Sequence, residues 1–192
     1  MKRKLIQILI LGMLVVGFAS TAKAADFDYT NDPEALATMD RLIERLTVSS
    51  NPDTHFQAVI LSLEQVNAFS VSDGRIIVTE GLLRTISTEE QLAAAIAHEM
   101  GHRINAVKAT ETRAFAATDD EEFTADTFAI QVLTQAGFNP NCLAEMLRVV
   151  LHSDGSSFPK AQIKQLSSRI RKIEDKVGSQ VSSVKTAANQ GD

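Results

Sequence analysis

Two histidines four residues apart, with a glutamate directly after the first, stand inside the alanine-rich segment AAAIAHEMGHRINA, residues 93–106. In a helix turning about 100° per residue, side chains four apart lie nearly above one another on one face. His98 and His102 can therefore grip one ion. Glu99, one step round the helix, can reach a water on that ion but is badly placed to join the pair as a ligand. That is the geometry of HExxH, a zinc-hydrolase motif. The competing reading is a helix whose histidines merely cap a core. In a chain with four histidines the full pattern arises by accident in roughly half a percent of cases, so chance explains little.

The N-terminus sets the expected route of the chain. Lys2, Arg3 and Lys4 precede an apolar run from Leu5 to Phe18, and Ala22-Lys23-Ala24 offers small residues for cleavage, so residues 1–24 read as a secretory signal peptide. An uncleaved anchor is the alternative, but the run is short for a span and Gln7 interrupts it. No cysteine near the cleavage region offers a lipid attachment point. The expectation is a periplasmic or secreted protein with no stable membrane span after cleavage. Losing four basic residues and no acidic ones moves the formal net charge from −5 to −9, which argues against nucleic acid as a partner. Cys142 is the single cysteine, so no intrachain disulfide is possible although that compartment permits one. Stability must come from a core, which a single domain of this length can bury, and from a metal if one is bound.

Periodicity predicts the remaining elements. Leu36, Met39, Leu42, Ile43 and Leu46 recur at helical spacing from Pro33 to Thr47, with Asp32-Pro33 as the start signal. After the turn Ser49-Ser50-Asn51-Pro52-Asp53, the run from Gln57 to Leu63 reads as a buried strand. Asn67–Val71 and Arg75–Thr79 flank Ser72-Asp73-Gly74, a tight-turn signal that predicts a hairpin. Ser87 or Thr88 caps a helix that carries HEMGH and runs to Val107, with Glu90 or Gln91 completing the cap. Residues 108–118 lack clear periodicity. Asp119-Asp120-Glu121-Glu122 then opens a helix to Gln135 that Gly137 ends, and two more helices span Pro140–His152 and Pro159–Val177 with a break at Asp154-Gly155-Ser156-Ser157. Residues 25–177 are read as one domain, and the polar remainder, 178–192, as a frayed or disordered tail.

A catalytic zinc takes three protein ligands and keeps one position open, and HEMGH supplies two. The extended form HExxHxxGxxH is excluded because positions 105 and 108 are Asn105 and Lys108. His55, His152, Cys142 or a carboxylate remain. Glu122, twenty residues beyond His102, is followed four positions later by Asp126 on the same helical face, and such a pair can divide the work of binding a metal and orienting a ligand histidine. The plainer readings are that His55 is a surface residue, that His152 suits the end of a helix dipole, and that Cys142 is a small buried residue.

Together, VNAFSVSDGRIIVTEGLL, HEMGH and EFTADTFAIQVLTQAGFNP resemble the gluzincin peptidases related to HtpX, BepA and the prenyl-protein (CAAX) proteases. Their shared pattern is a strand with Asn-Ala-Phe, a hairpin returning into Gly-Leu-Leu, an HExxH helix and a helix opening Glu-x-x-Ala-Asp. The resemblance covers residues 60–150 and implies an α+β, zincin-like fold, mostly helical, with a small β-sheet or hairpin packed against the HExxH helix. It implies one Zn2+ per chain held by His98, His102 and Glu122, with Glu99 as general base and Asp126 as support for a ligand. It also implies an edge strand, Asn67, Ala68, Phe69, Ser70 and Val71, on which a substrate lies extended. The chain lacks the transmembrane helices and helical-repeat domain of some members, so it resembles the soluble, single-domain envelope members. Many relatives carry His-Pro before the last helix, where this chain has Phe158-Pro159.

The function so implied is metal-assisted hydrolysis of peptide bonds in misfolded or unassembled envelope proteins. Protein or peptide substrates are the expected partners, with an envelope adaptor protein as a further one. The alternative class is a non-proteolytic chaperone or adaptor module with a structural zinc, for which Glu99 would have no use.

Overall fold

The computed structural model describes residues 29–50, 55–112, 118–154 and 158–188. The signal-peptide reading for residues 1–24 and most of the two predicted polar breaks, at 51–53 and 155–157, lie outside the described residues.

Helix α1 (Pro33–Ser50) starts where Asp32-Pro33 predicts. The Asp32 carboxylate accepts from the backbone N–H groups of Glu34 and Ala35, satisfying donors that a first turn leaves unpaired. Met39, Leu42, Ile43 and Leu46 form its buried stripe.

Strands β1 (Gln57–Leu61), β2 (Ala68–Ser70) and β3 (Arg75–Thr79) make one sheet in the order β1-β3-β2. The middle strand β3 runs parallel to β1 and antiparallel to β2. Strands β2 and β3 are the expected hairpin. Strand β1 stops two residues short of the predicted end at Leu63, because the Leu63 N–H turns back onto the Leu61 carbonyl at 2.8 Å. Thr30 donates to Ile60 O and Tyr29 bridges Leu61 along the outer side of β1. Among the described residues, no strand pairs with the outer side of β2.

Helix α2 (Glu80–Thr85) was not expected from periodicity, being six residues long. Thr79 caps it, its hydroxyl accepting from Leu82 N–H at 3.2 Å.

Helix α3 (Glu89–Thr112) is the centre of the molecule. Its start follows the predicted cap: Thr88 Oγ1 accepts from Gln91 N–H at 3.2 Å, and Gln91 Oε1 reaches back to Ser87 N–H at 2.9 Å. Leu92 to Ala97, Met100 and Ile104 are buried, because α1, α4, α5, β2 and β3 all pack on this helix. A helix covered on so many sides needs small residues, and the alanine run supplies them. It continues to Thr112, past the predicted end at Val107.

Helix α4 (Thr118–Gln135) ends as predicted at Gly137, whose φ of +75° is the left-handed conformation that favours glycine. Phe138 N–H bonds Leu133 O and Gly137 N–H bonds Thr134 O, closing the last turn. Helices α5 (Cys142–Asp154) and α6 (Lys160–Ala188) complete the fold. Helix α6 runs past the predicted end at Val177 as far as Ala188, into the segment read as a frayed or disordered tail. Polarity removes a reason to be buried but no backbone hydrogen bond, and the segment contains no proline to stop a helix. No helix among the described residues is long and apolar enough to cross a membrane. The architecture is α+β, mostly helical with a small three-stranded sheet on α3.

Candidate metal centre

Helix α3 presents His98 and His102 one turn apart, with Nε2 atoms 3.0 Å from each other and rings crossed at 89°. Helix α4 crosses α3 closely at Gly101, the fourth residue of HEMGH, where an added Cβ would lie 3.0 Å from Ala125 Cα and O. That approach brings Glu122, three residues before Ala125, to the histidine pair. Its Oε1 is 3.3 Å from His102 Nε2 and its Oε2 is 3.6 Å from His98 Nε2. Each of the three residues offers one ligand atom, and these atoms all lie within 4.8 Å of one another. Two imidazole nitrogens and one carboxylate oxygen are a donor set suited to zinc with a position left open. The residues present fit the ion.

Asp126, one helical turn beyond Glu122, faces the opposite side of the His98 ring, with Oδ1 3.1 Å from Nδ1. A carboxylate there makes Nδ1 the protonated nitrogen and turns the Nε2 lone pair toward the centre. The sequence expected these side chains. It did not single out Arg169 of α6. Arg169 donates from Nε to Asp126 Oδ2 at 2.9 Å and from Nη2 to Asp126 Oδ1 at 2.7 Å. Its Nη1 lies 2.5 Å from Glu122 Oε2, an ion contact rather than an aligned hydrogen bond. A signal was present, because Arg169 lies three residues after Leu166 and four before Ile173, on the face that α6 buries. A charge on an apolar stripe requires a partner.

His98, Glu122, Asp126 and Arg169 are each at most 6% exposed, and that burial shapes their protonation. For Glu122, burial alone would favour the neutral acid, but His102, Arg169 and His98 outweigh it and lower the pKa from 4.5 to about 2. Burial opposes ionisation of Asp126 as well, and the charge of Arg169 with the bonds to Arg169 and His98 hold it well below the carboxylate range. For His102, burial disfavours the cation, and the hydrogen bond to Glu122 with the charge of Glu99 overcomes it, so the pKa is raised. Glu99 goes the other way from its carboxylate neighbours. Burial dominates and raises its pKa, although the two histidines and the nearby Ser70 backbone N–H pull against it.

That approach of Ser70 puts the sheet beside the centre. Val71 N–H bonds Arg75 O and Thr79 N–H bonds Asn67 O, so the odd-numbered residues of β2 direct their main-chain groups toward β3. Alternation leaves those of Ala68 and Ser70 on the outer edge, beside Glu99. Asn67 is buried, and its Oδ1 has no hydrogen-bond partner. Ala68, together with Leu82, Ala95, Met146 and Leu147, also lines a cavity of about 10 Å3 against His98 and Glu99.

The other candidates lie apart from the centre. His55 is exposed and lines a surface cavity of about 240 Å3 with Asp40 and Glu44 of α1. His152 is exposed at the end of α5, its Nδ1 2.6 Å from Arg148 O. Cys142 is buried, which pushes its thiol up to about 12. Phe158, where relatives carry histidine, packs half-buried against the core.

Residues 30–114 match the model of Peptidase family M48, in agreement with the gluzincin resemblance. The matched segment includes His98, Glu99 and His102 and ends before Glu122, Asp126 and Arg169, for which the geometry is the support. No curated protein matches the chain.

Proposed function

We propose that this chain, matched to Peptidase family M48 over residues 30–114, is a zinc-dependent endopeptidase. The observation that carries the reading is the convergence of His98, His102 and Glu122 with Glu99 beside the pair and the open edge of β2 beside Glu99. When bound there, zinc supplies an acidified water and polarises the substrate carbonyl. Glu99 takes the proton from the attacking water and delivers it to the leaving amine. Burial raises its pKa, the direction that helps a carboxylate take up a proton before returning it. Asp126 holds His98 in the tautomer that ligation needs.

The substrate lies extended along β2, against the outward main-chain groups of Ala68 and Ser70, with Asn67, Phe69 and Val71 completing the strand. Main-chain pairing reads few side chains, which suits unfolded or unassembled proteins of the cell envelope. Export to the periplasm or beyond is part of the reading, and N-terminal sequencing of the exported protein should find Ala25 first. An intact Met1 would overturn it.

Glu99→Gln tests the mechanism. The amide fills the same space but cannot take the proton, so the variant should retain about one zinc per chain and the parent's fold while losing cleavage of an unfolded protein such as reduced casein. Full cleavage by purified, zinc-loaded Glu99→Gln would exclude Glu99 as the base.

A further inference from the structure

A buried guanidinium costs several kcal/mol unless it is paired, and Arg169 is paired more completely than burial alone demands. Its fork takes both oxygens of Asp126. The remaining nitrogen reaches Glu122. Nη2 lies 3.4 and 3.3 Å from the two ring nitrogens of His98, and in the ring plane such a point would overlap the Cε1–H between them, so the guanidinium lies over the face of the imidazole. Arg169 thus touches three of the four side chains of the centre, from a helix that the family match does not include.

Two consequences follow from those contacts. A lone carboxylate behind His98 could rotate about its terminal torsion and still accept from Nδ1. With Oδ1 shared between Arg169 Nη2 and His98 Nδ1, and Oδ2 bound by Arg169 Nε, that freedom is gone. The charges also balance, since Glu99, Glu122 and Asp126 are offset by one guanidinium and one divalent ion. Without Arg169 the same buried group would carry an uncompensated negative charge.

We propose that Arg169 is a positioning residue of the metal centre, which fixes Asp126 and, through it, the ligand nitrogen of His98, so that α6 is a working part of the site. The proposal rests on the reading of His98, His102 and Glu122 as ligands. Its test uses the full chain and the variants Arg169→Gln, Arg169→Lys, Asp126→Asn and the Arg169→Gln/Asp126→Asn double variant. Zinc affinity is measured by competition with a chromophoric chelator, and ligand geometry by the visible spectrum of the Co2+-substituted protein.

Arg169→Gln should bind zinc about ten- to a hundredfold more weakly and alter the cobalt spectrum. Because the effect passes through Asp126, the double variant should be about as weak as the weaker single one. Arg169→Lys keeps the charge but not the fork, so it should fold with affinity still reduced, and it carries the test if Arg169→Gln does not fold. Parental zinc affinity and cobalt spectrum in folded Arg169→Lys would overturn the proposal, as would additive losses in the double variant. A parent protein that binds no stoichiometric zinc would instead overturn the ligand assignment beneath it.

Discussion

Glu121 and Glu122 are neighbours of identical chemistry, and only their turn about the helix axis separates them. A step of about 100° lets one of them share a face with Asp126, and spacing by four selects Glu122. The structure buries Glu122 between the two histidines and leaves Glu121 half-buried near the start of α4. Glu122→Ala should therefore weaken zinc binding severely and abolish cleavage, whereas Glu121→Ala should cost at most a dipole contribution of about 0.3–1 kcal/mol. Metal analysis and peptidase assays of the two purified variants decide the matter, and parental zinc affinity in Glu122→Ala would refute the assignment. The helical phase of this choice was legible in sequence. The role of Arg169 was not, because a residue on an apolar stripe declares that it needs a partner without saying which one.

Among the elements, the crossing of α3 and α4 decides whether a metal centre exists at all. Gly101 lies at that crossing, with the Ala125 Cα and O each 3.0 Å from the place where its side chain would begin. Replacing a mid-helix glycine by alanine gains about 1 kcal/mol in helix propensity, while overpacking a tight contact costs about 1–3 kcal/mol, so Gly101→Ala should fall between neutral and about 2 kcal/mol destabilising. Gly101→Val adds two methyl groups against backbone that cannot rotate away and gains less propensity. It should lower the melting temperature and, by pushing α4 off α3, weaken zinc binding more than tenfold. Thermal melts and chelator competition measure both effects, and a folded Gly101→Val protein with parental zinc affinity would show that the close approach is not required. Periodicity predicted long elements such as α1 and α4 well. It missed α2, which is too short to show a period and whose start depends on Thr79 being buried at the end of β3.

At the scale of the whole molecule, the centre joins helices far apart in the chain, with two residues from α3, two from α4 and one from α6. An ion bound there should tie the fold together. At a free concentration a hundredfold above its dissociation constant it contributes about 2.7 kcal/mol, so chelation should lower the melting temperature by about 5 to 10 °C and added zinc should restore it. A melting temperature indifferent to both treatments would mean that no ion bridges these helices. The sequence by itself determined the spacing that stacks His98 over His102, the place of Glu99 beside them, the phase of Glu122 with Asp126, and the hairpin around Asp73-Gly74, because each depends on backbone geometry within a few residues. Only the tertiary structure decided that Gly101 lets α4 come close, that the Ser70 N–H meets Glu99, and that Arg169 closes the centre from α6. Those are contacts between elements, set by how the whole core packs and by the need of each buried charge for an opposite one, and local periodicity carries no record of either.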